Sequence, residues 1–366
     1  MWTSSTAFRY FLLGGYLLVV ALVLAIPSAP LIARLPDFAA CQMRMRVCPW
    51  QDTDWRRSLE GFADSAFGLA GDMKDAAAFL RDGGRGGAVV EGVDGWGFYN
   101  SGSLRNRHRG RFADVAGAEY WTGIANELHE RQVRAGRRFV FMLAPDKHSI
   151  YPEFLPAGYL PDRRGPDTAA LVQAGLAERG IAYIDSKAIL DAAKGTGPLY
   201  WKRDTHWNQL GALFIFNRLV EILGVEPVHG TVGGVYAGTK SIDREGDFAT
   251  INGEGVSRGE QMPVFRQPLF SMQGITTEAL TQADGNSVAG MAPYLIAEGA
   301  VADPASKLSI AVIGDSFTFG LFRPLFAQHF ASVLWLHHQQ GGFDRAMIER
   351  FDPDVIVLQV VERVVE

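Results

Sequence analysis

The chain has 366 residues, 48% of them hydrophobic and 20% charged, with a formal net charge of −5. That composition excludes a disordered or collagen-like chain and allows a sizeable core. The acidic balance leaves no footprint for nucleic acid, and an anionic polymer would have to be held by a local basic groove, not by the overall field.

The first element is a run of 24 residues without a charge, Tyr10 to Ala33. That length spans a bilayer core. Residues 1–34 therefore read as a cytoplasmic tail and signal anchor, an N-terminal transmembrane helix. A cleaved signal peptide is the rival, although Pro27 and Pro30 crowd the small residues where a peptidase would cut. Arg9 precedes the span, whereas Arg34, Arg44 and Arg46 follow it. A plain count of positive charges would place the body inside the cell. The two cysteines, Cys41 and Cys48, point the other way. They suit a small disulfide loop in an oxidising compartment, with two unrelated thiols as the alternative.

Residues 35–87 read as a connecting helical segment. A helical mixture from Ala63 to Leu80 ends at the breaker Gly83-Gly84-Arg85-Gly86-Gly87. The main domain, 88–366, opens on a hairpin-like run, Val89–Tyr99, with a turn at Asp94-Gly95. Residues 113–135 predict a long amphipathic helix carrying Trp121, Ile124, Leu128 and Val133. Phe139 to Ala144 is a continuous apolar run, the mark of a buried parallel strand. A helix at 167–178, a strand at Ile181–Ile184 and a deeply packed helix at 207–223 follow. After 226–305, a Gly-, Ser-, Thr- and Asp-rich stretch expected as an irregular insertion or lid, comes the strand Leu308–Ile313. Helices at 321–330 and 343–350 then alternate with strands at Val333–Leu336 and Val355–Val361. Such alternation predicts an α/β fold with a mostly parallel sheet covered on both faces.

Two segments carry chemistry. In Ile313-Gly314-Asp315-Ser316-Phe317 a buried strand runs into a serine at the start of a helix. Ligands bind beyond the C-terminal ends of such strands. Ser316 is either an exposed nucleophile, its own N–H facing a developing oxyanion, or simply a helix cap. In Trp201-Lys202-Arg203-Asp204-Thr205-His206-Trp207-Asn208 an acid and a histidine flank one residue just before a helix. Asp204 can hold one ring nitrogen of His206 while the other takes a proton from a serine. Each piece alone reads as a cap or a turn. Together they favour a Ser316–His206–Asp204 acyl-transfer site.

GDSF with DTHW resembles the SGNH hydrolases, whose usual chain order places the serine first. Here His206 precedes Ser316, an order that resembles the alginate O-acetyltransferase family, the AlgJ and AlgX proteins. Other segments carry the same resemblance: Gly92–Tyr99 (GVDGWGFY), Pro145–Glu153 (PDKHSIYPE) and Tyr200–Gly211. The resemblance implies an SGNH-hydrolase-like three-layer sandwich and O-acetylation of an exopolysaccharide in the periplasm, alginate first among them. It also implies an inner-membrane anchor, no cofactor, and a membrane-bound O-acyltransferase as acetyl donor. The acceptor would be an anionic or neutral exopolysaccharide. An acetylesterase with the same triad, or a non-catalytic scaffold of a secretion complex, remain the alternatives.

Further residues are candidates on weaker grounds. Lys147 and His148 follow a buried strand and either line the pocket rim against an acidic sugar or are plain loop residues. Tyr151 or Asn208 can serve as a second oxyanion donor, and Trp207 as a stacking platform for sugar or a core residue. His337-His338 has no third ligand at a telling spacing, so no metal is expected.

Overall fold

Alternating side chains inside the apolar strands decide the architecture. In β3 (Arg138–Ala144) Val140, Met142 and Ala144 face one core, while Phe139, Phe141 and Leu143 face another. A strand directs successive side chains to opposite faces, so a strand apolar throughout must be covered on both. The structure, a computed structural model, describes residues 88–160, 165–281, 290–300 and 304–366. All lie in one compact unit, Gly84–Glu366. The expected membrane helix within 1–34, the connecting segment 35–87 and the Cys41–Cys48 pair lie outside the described residues. Among those described, no helix is long and apolar enough to cross a membrane.

The chain begins with a two-stranded hairpin, β1 (Val89–Glu91) and β2 (Gly97–Tyr99), whose turn holds Asp94 and Gly95 at positive φ. Helix α1 (Val115–Arg134) follows, capped by the Asp114 carboxylate at 2.9 Å from the Gly117 N–H. Strand β3 leads to α2 (Thr168–Glu178), β4 (Ala182–Ile184), α3 (Ser186–Ala193) and α4 (Gln209–Ile222). A long antiparallel hairpin, β5 (Tyr236–Arg244) and β6 (Ser257–Phe265), comes next. Then come β7 (Glu278–Ala279), β8 (Tyr294–Ile296), β9 (Ser309–Gly314), α5 (Phe322–His329), β10 (Ser332–His337), α6 (Arg345–Phe351) and β11 (Val355–Val361).

The main sheet has the order β4-β3-β11-β9-β10-β8-β7. The first five strands are parallel, and β8 and β7 join antiparallel at one edge. The sheet is therefore mixed, not parallel to its edge. Apolar residues of α1, α2 and α6 share one core with one face of the sheet. Those of α3, α4 and α5 share the other, larger core with the opposite face. The result is a three-layer α/β/α sandwich. The stretch 226–305, expected as irregular, holds β5 to β8 among its described residues. Its hairpin strands are half-exposed or exposed at all but Glu260 and Pro263, so they lack the apolar alternation that marks a strand in sequence.

One buried histidine gives the fold a pH dependence. His329 is fully buried, its Nδ1 is 2.7 Å from the Leu325 carbonyl, and its Nε2 accepts the Val228 N–H at 3.2 Å. That pairing requires the neutral ring. Burial pushes its pKa down to about 4. Between its unfolded value near 6.5 and about 4, the unfolded chain binds the proton and the native one does not. Stability is expected to fall as pH drops through that window, by on the order of 3 kcal/mol from this group. Urea melts of wild type and His329→Gln at pH 7 and pH 4.5 check it: the variant should lose clearly less than wild type.

Candidate active site

Strand β9 sits in the middle of the sheet, and its C-terminal end delivers Gly314, Asp315 and Ser316 to the sheet edge where ligands bind. A Cβ on Gly314 would lie 2.2 Å from Thr318 Oγ1 and 3.1 Å from Gln359 Oε1, so only glycine fits there. Asp315 caps the turn Ser316–Phe319 through the Phe317 N–H at 2.9 Å. Its carboxylate also takes Gln359 Nε2 at 3.0 Å and the Val361 N–H at 2.9 Å. Burial alone would push this carboxyl up, but His338 and these donors hold it below its ordinary range. Asp315 thus ties the turn that carries Ser316 to β11. Ser316 itself is half-buried, and its N–H stands at the first position of a helical turn, where no intrahelical partner exists.

The second segment meets it from the loop before α4. His206 Nε2 lies 2.8 Å from Ser316 Oγ, and His206 Nδ1 lies 2.8 Å from Asp204 Oδ1. The Trp207 indole N–H donates to the Phe317 carbonyl at 3.1 Å, joining the two segments directly. The Asp204 side chain is 7% exposed and that of His206 26%, so the acid is sheltered and the imidazole reaches the surface.

Asp204 is saturated with donors. Oδ1 also accepts the His206 N–H at 3.0 Å, and Oδ2 accepts Arg244 Nη2 at 3.0 Å and the Asp247 N–H at 3.2 Å. Burial pushes the carboxyl up, yet the hydrogen bonds and charge of His206, with Arg244, outweigh it and hold it well below the usual range. Asp247 is displaced the other way, raised by burial and by the charge of Asp204. It accepts the Thr205 N–H at 2.8 Å and the Thr205 hydroxyl. The Thr205 oxygen in turn lies 3.2 Å from His206 Nδ1. Gly246 permits this approach, since a Cβ there would lie 2.0 Å from the Arg203 carbonyl oxygen. Arg244 and Asp247 belong to the 226–305 stretch and were not singled out from sequence. The nearest signal in the sequence is Gly246-Asp247-Phe248, an acid beside a glycine.

Residues 89–365 match the family described as SGNH hydrolase-like domain, acetyltransferase AlgX. The chain belongs to this family. It is 28% identical over 241 residues to the probable alginate O-acetylase AlgJ of Pseudomonas aeruginosa, which covers 63% of this chain and 55% of that protein. The match thus spans about half the length of that curated relative. Among solved structures, PatB1 of Bacillus cereus superposes with a TM-score of 0.52 at 15% identity, over 75% of this chain and 95% of that one. The O-acetyltransferase domain of Pseudomonas putida AlgJ matches with a TM-score of 0.43 at 16% identity, over 76% and 92%. The likeness to PatB1 shows the fold.

In this AlgX-family site Lys147 works beneath the surface, not at a rim. It is 3% exposed, and its Nζ donates to the carbonyls of Trp201 at 3.0 Å, Lys202 at 2.8 Å and Asp204 at 2.7 Å. Three acceptors on one nitrogen suit an ammonium, while burial pushes its pKa down to about 7. The expectation that Lys147 touches substrate is corrected: it latches the loop that carries Asp204 and His206. Glu260, also buried, holds the same loop from the hairpin by accepting the N–H groups of Lys202 at 3.0 Å and Arg203 at 2.7 Å. Replacing Lys147 by methionine orphans the Trp201 and Asp204 carbonyls. At about 1–3 kcal/mol for each stranded group, a net loss of about 3 kcal/mol is expected. Urea denaturation measures it.

The remaining candidates also turn inward. His148 is 3% exposed on the same buried turn. Tyr151 is 5% exposed, and its hydroxyl accepts the Leu199 N–H at 3.0 Å. Trp207 is fully buried, stacked on Phe322 with centroids 5.7 Å apart. Asn208 is the N-cap of α4, bonded to the N–H groups of Leu210 and Gly211 and to the Pro198 carbonyl. All four are buried, His148 with its Nε2 unpartnered there, which corrects their reading as sugar contacts or oxyanion donors. Two clusters among the described residues hold acids and a histidine at metal-ligand spacing: Asp146, His148 and Glu362, and Asp204, His206 and Asp247. In the first, Arg363 and Arg107 already pair with the two carboxylates. In the second, the ring nitrogen and carboxylates are engaged in the relay just described. Charge in both is balanced by the chain's own groups.

Proposed function

We propose that this protein is an O-acetyltransferase that carries an acetyl group on Ser316 and passes it to hydroxyls of an exopolysaccharide. The observation that carries this reading is the unbroken relay from Asp204 through His206 to Ser316, with 2.8 Å at each step. In the first half-reaction Ser316 Oγ attacks the acetyl carbonyl while His206 Nε2 takes its proton. The oxyanion meets the Ser316 N–H, the carbonyl re-forms, and the donor leaves with the proton from His206. In the second, an acceptor hydroxyl gives its proton to His206 and attacks the acyl-serine. Collapse returns the proton to Ser316 and releases the acetylated sugar. Asp204 holds the Nδ1–H tautomer and offsets the imidazolium that forms in each half.

The family and the AlgJ relative support alginate as the acceptor. The charge-free run Tyr10–Ala33 supports an inner-membrane anchor, and the cysteine pair Cys41 and Cys48 supports a domain in the periplasm. Outside the cytoplasm the acetyl group would be handed over by a membrane-bound O-acyltransferase. No step calls on a cofactor. The same triad serves an acetylesterase if water takes the place of the sugar, since the two differ in how well the acyl-enzyme excludes water. Incubating the protein with an activated acetyl ester and alginate oligomers separates them. Acetylated oligomers are expected; free acetate as the sole product would overturn transfer.

A further inference from the structure

Away from the relay, a cation stands without a counter-ion. Arg323, near the start of α5, makes no ion pair to a carboxylate among the described residues. Its guanidinium carbon lies 4.0 Å from the ring centroid of Tyr294 and 4.8 Å from that of Phe319. Beside it, Arg323 Nε and the Tyr294 hydroxyl are buried, and the hydroxyl has the Arg323 guanidinium itself as its polar neighbour. Tyr294 is 2% exposed, and a buried tyrosine hydroxyl ordinarily finds a partner. Both residues line a cleft of about 300 Å³ together with Thr277, Ala279, Pro293 and Phe319. That is the small end of ligand-pocket sizes, suited to one ring of a chain rather than to a whole oligomer. Phe319 closes the helical turn that Ser316 opens, so the cleft begins about one turn, roughly 5 Å along the helix, from the nucleophile.

We propose that this cleft takes the carboxylate of a uronic acid residue in the acceptor chain, next to the sugar whose hydroxyl is acetylated. The proposal rests on the exopolysaccharide reading above and names what that site recognises. The two rings occupy the guanidinium near its carbon, while the N–H edge that forks onto a carboxylate is left without an acceptor. The Tyr294 hydroxyl supplies a further donor to the same oxygens. A guanidinium without a counter-ion, and a hydroxyl with only that cation beside it, are both costly when withdrawn from water, and one carboxylate satisfies both. A chain with a net charge of −5 repels a polyanion at long range, so recognition of such a polymer requires a local cation of this kind.

Calorimetric binding of an oligomannuronate and of a neutral cello-oligomer, each to the full chain at low salt, tests this. Arg323→Gln is expected to weaken oligomannuronate binding by about tenfold or more, the size of one charge-assisted contact, and to erase the preference over the neutral probe. Arg323→Lys should fall between. Tyr294→Phe should weaken the same probe about threefold without lowering the thermal midpoint, because the hydroxyl's polar neighbour is Arg323 and not a group that holds the fold. A hydroxyl with a purely structural role would do the opposite. If wild type binds and acetylates the oligomannuronate and Arg323→Gln does so equally well, the cleft is not the site, and the transferase reading stands. If wild type acetylates neutral oligomers but neither binds nor acetylates the uronate, the anion site alone falls. If it acetylates no oligosaccharide, both readings fall.

Discussion

Ser316→Ala is expected to abolish acetyl transfer, lowering turnover by about 10⁴-fold or more, the scale on which serine-triad nucleophiles act. No other group in the relay can form the ester. Ser316 is half-buried and its hydroxyl touches His206 alone within the relay, so the substitution removes one contact and leaves the Asp315 cap intact. The fold should therefore survive, and a thermal melt matching wild type makes the kinetic loss interpretable. In cells the same variant separates an enzyme from a scaffold. Polymer acetylation should vanish while the assembly that secretes the polymer persists. Unchanged acetylation would sink the catalytic reading outright.

Asp204→Asn should cut turnover by about 10³- to 10⁴-fold, less than loss of the serine, by the tautomer argument that applies to triad acids. The geometry makes the reason specific. Every donor around this carboxylate points inward: the N–H and Nδ1–H of His206 at one oxygen, Arg244 and the Asp247 N–H at the other. An asparagine must turn its NH₂ toward one of these pairs, so donor meets donor whichever way it sits. Facing His206, it forces the wrong tautomer. Facing Arg244, it loses the hairpin's hold on the loop. The Thr205 oxygen, 3.2 Å from Nδ1 and backed by Asp247, offers the ring a second acceptor. Residual activity should therefore depend on Asp247, and Asp204→Asn with Asp247→Asn should fall below the single variant. Steady-state kinetics of the two variants decide it. Because Asp204 is held well below the ordinary carboxylate range, loss of activity on mild acidification should not follow its protonation.

How far the sequence speaks depends on how local the signal is. Apolar runs such as Phe139–Ala144 and Val355–Val361 declared themselves as buried strands, because a strand covered on both faces needs no polar alternation. The motifs around Ser316 and His206 were legible for a similar reason. Each packs its chemistry into a few consecutive residues at a strand end or a helix start. Lys147 stood out by position, yet its role was misjudged. A lysine after a strand looks solvent-bound until the three carbonyls that it holds are seen. Trp207 and Asn208 were drawn toward the site by their neighbours, although one fills the core and the other caps a helix.

The sequence by itself determined the layered α/β plan, the pairing of Ser316 with His206 and Asp204 as candidates, and the resemblance to an acetyltransferase family. Those follow from periodicity and short-range spacing, which survive without coordinates. Only the tertiary structure decided what supports the relay. Arg244, Asp247 and Glu260 come from a hairpin with no apolar period of its own, and they matter because folding brings them against a loop some forty to sixty residues earlier in the chain. The antiparallel edge, the buried latch of Lys147 and the packing of Arg323 on Tyr294 are long-range facts of the same kind. Each is set by which surfaces pack together, and no local pattern encodes that.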